Sequence, residues 1–110
     1  MRCIVCSLQV NTRNGLKSLN TGLTTALNFG ASVPEAVMIL TVGHEIGHNF
    51  GSEHDPEGAC SPGGLEGDYI MDAHAGDGGL PNNDKFSPCS LESMVAVMDA
   101  KAECFVPYPE

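Results

Sequence analysis

The chain has 110 residues, enough for one domain with one modest core. Its 14 acidic and 5 basic residues leave a formal charge of −9, which argues against nucleic acid or an acidic membrane surface as partner. No apolar run approaches the roughly 20 residues of a membrane-spanning helix, and the stretch from Cys3 to Val10 lacks the apolar core of a signal peptide.

Residues 1–33 read as irregular, with a turn signal at Asn14-Gly15 and one strand within Thr21 to Phe29, before Gly30. The first helix runs from Pro34 to Phe50. Proline suits the first helical position, and Glu35 complements the positive end of the helix. Val37, Leu40 and Thr41 supply a buried face, which Val42 and Ile46 continue. Gly43 and Gly47 weaken this helix, and close approach of a neighbouring segment is the simplest reason to have them there. Residues 52–88 are loop-like and dense in glycine and proline. A loop of that length inside a domain is functional or cross-linked. A second helix spans Leu91 to Cys104 with Ser90 as its N-cap. Its stripe of Leu91, Met94, Val95, Met98 and Ala102 reads as core filling.

Chemistry concentrates in the run from His44 to Asp55, which reads H-E-x-x-H-x-x-G-x-x-H-D. His44 and His48 are four apart, so a helix projects both from one face toward one ion. Glu45 borders that ion without needing to bind it, the position of a base that takes a proton from water. Gly51 adopts left-handed backbone at little cost, so the helix stops there and His54 returns as third ligand. Three protein ligands leave one tetrahedral position open, as catalytic zinc sites do. H-E-x-x-H alone arises by chance on solvated helices; the added glycine, third histidine and aspartate make an accidental match remote.

Five cysteines occur, Cys3, Cys6, Cys60, Cys89 and Cys104, so at least one has no partner within the chain. The pair Cys3-x-x-Cys6 is compatible with redox chemistry or half of a metal site. The histidines already account for a metal, which favours disulfides in an exported protein. No cysteine adjoins a histidine in sequence, so a thiol nucleophile is a poor rival. His74, the one histidine outside the run, reads as a surface loop residue.

The zinc run, Tyr69-Ile70-Met71, and the segment from Asn83 to Ser90 together resemble the ADAM/adamalysin (reprolysin) branch of the metzincins. The stretch from Ser18 to Leu23 and the ending Glu103-Cys104-Phe105-Val106 bring the resemblance closest to the Kuzbanian-like and TNF-α-converting-type sheddases. It implies a zinc endopeptidase with His44, His48 and His54 as ligands and Glu45 as catalytic base. Met71 takes the place of the Met-turn methionine beneath the metal, and Gly51 and Asp55 support the turn. The resemblance also implies disulfides Cys60–Cys89 and Cys6–Cys104, leaving Cys3 as the odd thiol.

The fold implied is α+β for the parent catalytic domain. This chain itself is expected to be mostly α with long disulfide-bridged loops: an active-site helix at 34–50, a loop with the Met-turn at 52–88, and a C-terminal helix at 91–104. Residues 1–14 match poorly, and 1–110 reads as a single partial domain, the C-terminal half of a peptidase domain. The implied partners are polypeptides, in particular membrane-protein ectodomains including Notch-type substrates, on the extracellular side of the cell surface or in the secretory pathway. The sequence carries no recognisable signal peptide or membrane anchor. The alternative expectation is a catalytically incomplete zinc-binding fragment, acting as a decoy or interaction module.

Overall fold

The computed structural model describes residues 9–18, 22–74 and 76–102. Two short antiparallel hairpins come first. Strand β1 (Gln9–Thr12) pairs with β2 (Gly15–Ser18), with Gln9 opposite Ser18 and Thr12 opposite Gly15. Strand β3 (Leu27–Asn28) pairs with β4 (Ala31–Ser32). Both depart from the expected irregular N-terminal third. The Asn14-Gly15 signal closes a hairpin, because Gly15 at φ 92° takes the left-handed backbone that reverses the chain. The single strand expected over Thr21 to Phe29 shrinks to two residues. The Thr25 hydroxyl accepts from the Leu27 N–H and donates to the Leu27 carbonyl, a local side-chain bond that competes with strand pairing. Phe29 and Gly30 then turn the chain with positive φ at both positions, 48° and 81°.

Helix α1 covers Glu35–Asn49, and Pro34 flanks it in extended geometry as N-cap instead of forming its first turn. Its end is a Schellman motif. Gly51, at φ 91°, donates to the His48 carbonyl at 2.9 Å, and Ser52 donates to the Gly47 carbonyl at 3.0 Å. Helix α2 covers Pro88–Ala100, not Leu91 to Cys104. The N-cap is Ser87, whose hydroxyl accepts from the Ser90 N–H at 3.0 Å, and Pro88 takes the first helical position, where its missing N–H costs nothing. The helix thus begins one turn earlier than the apolar stripe suggests. Lys101, at φ −119°, ends it.

The long loop is ordered by its own hydrogen bonds and one cross-link. Ile70 N–H donates to the Lys85 carbonyl at 2.9 Å, and Asn82 N–H to the Glu66 carbonyl at 2.9 Å. The buried Asn83 side chain accepts from Leu80 N–H and donates to the Asp68 carbonyl. The Cys60–Cys89 disulfide joins the loop to the start of α2. Helix plus bridged loop is the expected arrangement for this chain. The expected Cys6–Cys104 bridge, the odd thiol Cys3 and the ending around Phe105 lie outside the described residues.

Among the described residues the core sits under α1 and is small, with Met71, Cys60 and Met94 as its buried apolar side chains. The expected apolar faces are therefore only partly internal. On α1, Ile39, Val42 and Ile46 are exposed; on α2, Met94 is buried while Leu91 and Val95 stand about half exposed. Among the described residues, Ile70, Met71 and Phe86 of the loop meet α1 at Gly43 and Gly47, and helical periodicity cannot say how many sides of a helix find a partner. Among the described residues, no helix is long and apolar enough to cross a membrane.

Candidate metal centre

Three histidines converge although only two share a helix. His44 and His48 lie one turn apart on α1, and the Gly51 reversal returns His54 to the same point. The three ring centroids are 4.7, 5.0 and 5.1 Å apart. A side chain at Gly51 would fail twice. Its φ of 91° disfavours one, and a Cβ would come within 2.4 Å of Val97 on α2. The turn is thus held by α2 as well as by its own backbone.

Hydrogen bonds decide which ring nitrogen is free. His44 Nδ1 lies 2.7 Å from the Ile70 carbonyl and His48 Nδ1 lies 2.8 Å from the Ser52 carbonyl. Carbonyl oxygens only accept, so both Nδ1 atoms carry the proton and both Nε2 atoms present a lone pair. His44 Nε2 is 3.2 Å from His54 Nε2. That separation is close to the edge of a tetrahedron with metal–nitrogen bonds of about 2.0–2.1 Å. One ligand nitrogen from each histidine lies within 4.8 Å of the others. Imidazoles fixed through Nδ1 with Nε2 converging are a fitting donor set for a metal ion.

Glu45 sits beside His44, half-buried, on the wall of a cavity of about 190 Å³ that Leu40, Thr41, Ile70 and Ala73 also line. Gly22 lies against it from the other side; a Cβ there would stand 3.3 Å from the Glu45 Cβ. Beneath the histidines, Met71 is fully buried against Gly47. A Cβ on Gly47 would lie 2.3 Å from the Met71 sulfur and 2.9 Å from the Phe86 ring, so the glycine is a close-approach site. Gly43 differs: a Cβ there would meet only Ile70 at 3.9 Å.

Asp55 ties the turn to α2. Its Oδ1 accepts from the hydroxyls of Ser87 and Ser90, the latter at 2.7 Å. Its N–H donates to the Met71 carbonyl at 2.9 Å, while Oδ2 is buried without a hydrogen-bond partner among the described residues. Ser90, expected to cap α2, holds this carboxylate instead. His74 is exposed on the loop, as expected, and faces Asp72 at 3.6 Å.

Sequence reasoning missed three contributors. The carbonyls of Ile70 and Ser52 are backbone atoms and carry no residue signature. Nothing in the sequence context of Asp72 marks it. Burial raises the Asp72 pKa, but hydrogen bonds from the His74 N–H and the Ser61 hydroxyl, with the His74 charge, outweigh it and hold the carboxyl below its ordinary 3.8.

Three convergent histidines on a helix and its glycine reversal, above a buried methionine turn, define a metallopeptidase of the metzincin class. Residues 4–100 match the metallo-peptidase family M12B, reprolysin-like, and the chain belongs to that family, on its ADAM, Kuzbanian-like side. It is 54% identical over 82 residues to the disintegrin and metalloproteinase domain-containing protein 10 homolog of Caenorhabditis elegans, covering 74% of this chain and 9% of that protein. Against the Homo sapiens disintegrin and metalloproteinase domain-containing protein 10 it is 46% identical over 98 residues, 82% of this chain and 13% of that protein. The Caenorhabditis elegans disintegrin and metalloproteinase domain-containing protein 17 homolog is more distant, 32% identical over 117 aligned residues, with 92% of this chain and 17% of the relative covered. The chain thus spans between 9% and 17% of the length of these curated relatives.

Proposed function

We propose that this chain is part of a single zinc metalloendopeptidase domain, in which His44, His48 and His54 hold the ion and Glu45 is the catalytic base. The observation that carries the reading is the pair of Nδ1–carbonyl bonds, which turns Nε2 of His44 and His48 toward His54 beside a carboxylate and an open cavity. Zinc, when bound, acts as a Lewis acid toward the peptide carbonyl and makes water acidic enough to ionise near neutral pH. Glu45 accepts the proton released as water attacks the carbonyl, then delivers it to the departing amine. No side chain forms a covalent bond to substrate. Ile70 and Ser52 keep His44 and His48 in the ligating tautomer, Met71 forms the floor, and Gly51 with Asp55 holds the turn that carries His54.

Polypeptides are the substrates of this reading. Similarity to proteins named for disintegrin and metalloproteinase domains extends it to shedding of membrane-protein ectodomains, with Notch-type signalling proteins among them, at the extracellular face of the cell or in the secretory pathway. Glu45→Ala tests the chemistry: zinc content is retained while peptide hydrolysis falls about 10²–10⁴-fold, the usual contribution of a general base. Equal hydrolysis by both proteins would sink the reading.

A second reading, a metal-binding but non-catalytic interaction module, is favoured by one observation: Ile39, Val42 and Ile46 of α1 are open to solvent. Robust cleavage by the zinc-loaded 110-residue chain excludes it.

A further inference from the structure

We propose that Asn83 is a positioning residue for His44: its buried amide holds the strip of chain that carries the Ile70 carbonyl, and so aims the His44 Nε2 at the point where the three histidines converge. The inference rests on the metal-site part of the reading above and extends it to a residue outside the donor set.

The two imidazole locks differ in reach. His48 Nδ1 bonds the Ser52 carbonyl four residues on, within the reversal that closes α1. His44 Nδ1 bonds the Ile70 carbonyl, 26 residues away on the long loop. The first lock comes with the end of the helix. The second exists only where the loop delivers that carbonyl. With so few buried apolar side chains among the described residues, packing alone does little to deliver it.

Hydrogen bonds do so instead. Three consecutive carbonyls are taken by Asn82 and Asn83. The Asn82 N–H donates to Glu66 at 2.9 Å, the Asn82 side chain to Gly67 at 3.1 Å, and the Asn83 side chain to Asp68 at 2.9 Å. Two residues further, the Ile70 N–H donates to the Lys85 carbonyl at 2.9 Å. The strip 66–70 is thus held along 82–85, and Asn83 makes the side-chain bond nearest to Ile70. It is also more enclosed than Asn82, at 5% exposed against half-buried. Its Oδ1 accepts from the Leu80 N–H at 3.1 Å, and a Cβ at Gly67 or Gly76 would stand 2.9 Å from its nitrogen. An amide packed between two glycines, with donor and acceptor both engaged, has little freedom to turn.

Removing that amide leaves the Asp68 carbonyl without its donor. The strip slackens beside Ile70, the Nδ1 bond of His44 gives way to water, and both tautomers of that ring become populated. A ligand nitrogen presented for only part of the time binds a metal more weakly in proportion. His48 keeps its own local carbonyl and serves as an internal control.

The test compares the native chain with two variants. Asn83→Leu has nearly the same shape and no polar atom. Asn83→Asp keeps an acceptor for the Leu80 N–H and loses the donor to Asp68. Ring tautomers are read by NMR in metal-free chains carrying isotopically labelled histidine, and zinc affinity by competition with a chromophoric chelator. In the native chain His44 and His48 are both expected as Nδ1–H. In both variants His44 becomes a tautomer mixture while His48 stays as it was, and the zinc Kd rises about tenfold, the lower end of what outer hydrogen bonds contribute to metal sites. An unchanged His44 in either folded variant overturns the inference, as does equal change at His44 and His48, the mark of a general structural role. If neither variant folds, the native chain decides. Solvent exchange of the His44 Nδ1–H and of the Asn83 amide is expected to rise together through a urea series, and a rise of one without the other overturns the inference. A native chain that binds no zinc, with the tautomer result intact, overturns the metal-site reading and leaves the role of Asn83 standing.

Discussion

The underside of α1 and its outer flank belong to the same fifteen-residue helix but are held very differently. Below, Gly47 meets Met71 and Phe86 so closely that a methyl group there would force one of these side chains to shift. On the other flank, Ile39, Val42 and Ile46 are exposed. Both stretches are comparably apolar in sequence. The difference lies in tethering. The lower side is closed by a loop that Cys60–Cys89 bridges, that Asp55 pins to Ser87 and Ser90, and that two backbone carbonyls link to the histidines. The histidine cluster is thus built mainly from local cross-links, and little of it rests on a large apolar core.

That contrast can be broken most severely by removing the tethers. A metal chelator with a reductant is expected to unfold the chain, seen as loss of far-UV circular dichroism. Structural zinc is worth on the order of 10 kcal/mol in small domains, and a disulfide closing a loop of this size adds roughly 3–4 kcal/mol. An unchanged spectrum would mean that the core suffices by itself. The next largest effect separates two glycines of one helix. Gly47→Ala is expected to cost at least about 1–3 kcal/mol through overpacking, whereas Gly43→Ala is expected to be neutral or stabilising by up to about 1 kcal/mol. Urea denaturation of both variants checks this, and equal effects would contradict the close approach of Met71.

A smaller effect concerns pH. The folded Asp72 carboxyl titrates below its ordinary 3.8, so the folded state favours the ionised form. Its stabilisation is present above that ordinary value and is lost as pH falls through the folded one. The stability difference between the native chain and Asp72→Asn is therefore expected to be constant near neutrality and to shrink below pH 3.8, measured by urea denaturation across the acid range. The smallest effect is expected on the outer flank. Ile39→Ser and Val42→Ser should change stability by no more than about 0.5 kcal/mol each, since exposed positions contribute little. A loss above about 2 kcal/mol in thermal or urea melts would show that this flank is covered in solution.

Much of the site was legible in the sequence because its parts are local. The spacing of His44 and His48, the reversal at Gly51 and the return of His54 follow from helix geometry and glycine backbone freedom, and the structure places all of them together. Ser87 and Pro88 are equally local signals, yet the apolar stripe points to a start of α2 at Leu91. Periodicity marks which residues share a face and not where the first turn begins. The N-terminal hairpins escaped because their strands are only two to four residues long, too short for an alternating pattern to register.

The sequence by itself marked the three histidines, the neighbouring carboxylate and the family, because side-chain chemistry and spacing along a helix suffice for those. Only the tertiary structure decided which imidazole nitrogen is free, since that depends on the carbonyls of Ile70 and Ser52 reaching His44 and His48. It likewise decided that Gly47 is a close-approach site while Gly43 is not, and that Asp72 stands in the cavity wall. Each of these is a contact between segments distant along the chain or folded back by a turn, and residue identity does not encode where a backbone oxygen or a sulfur atom will arrive.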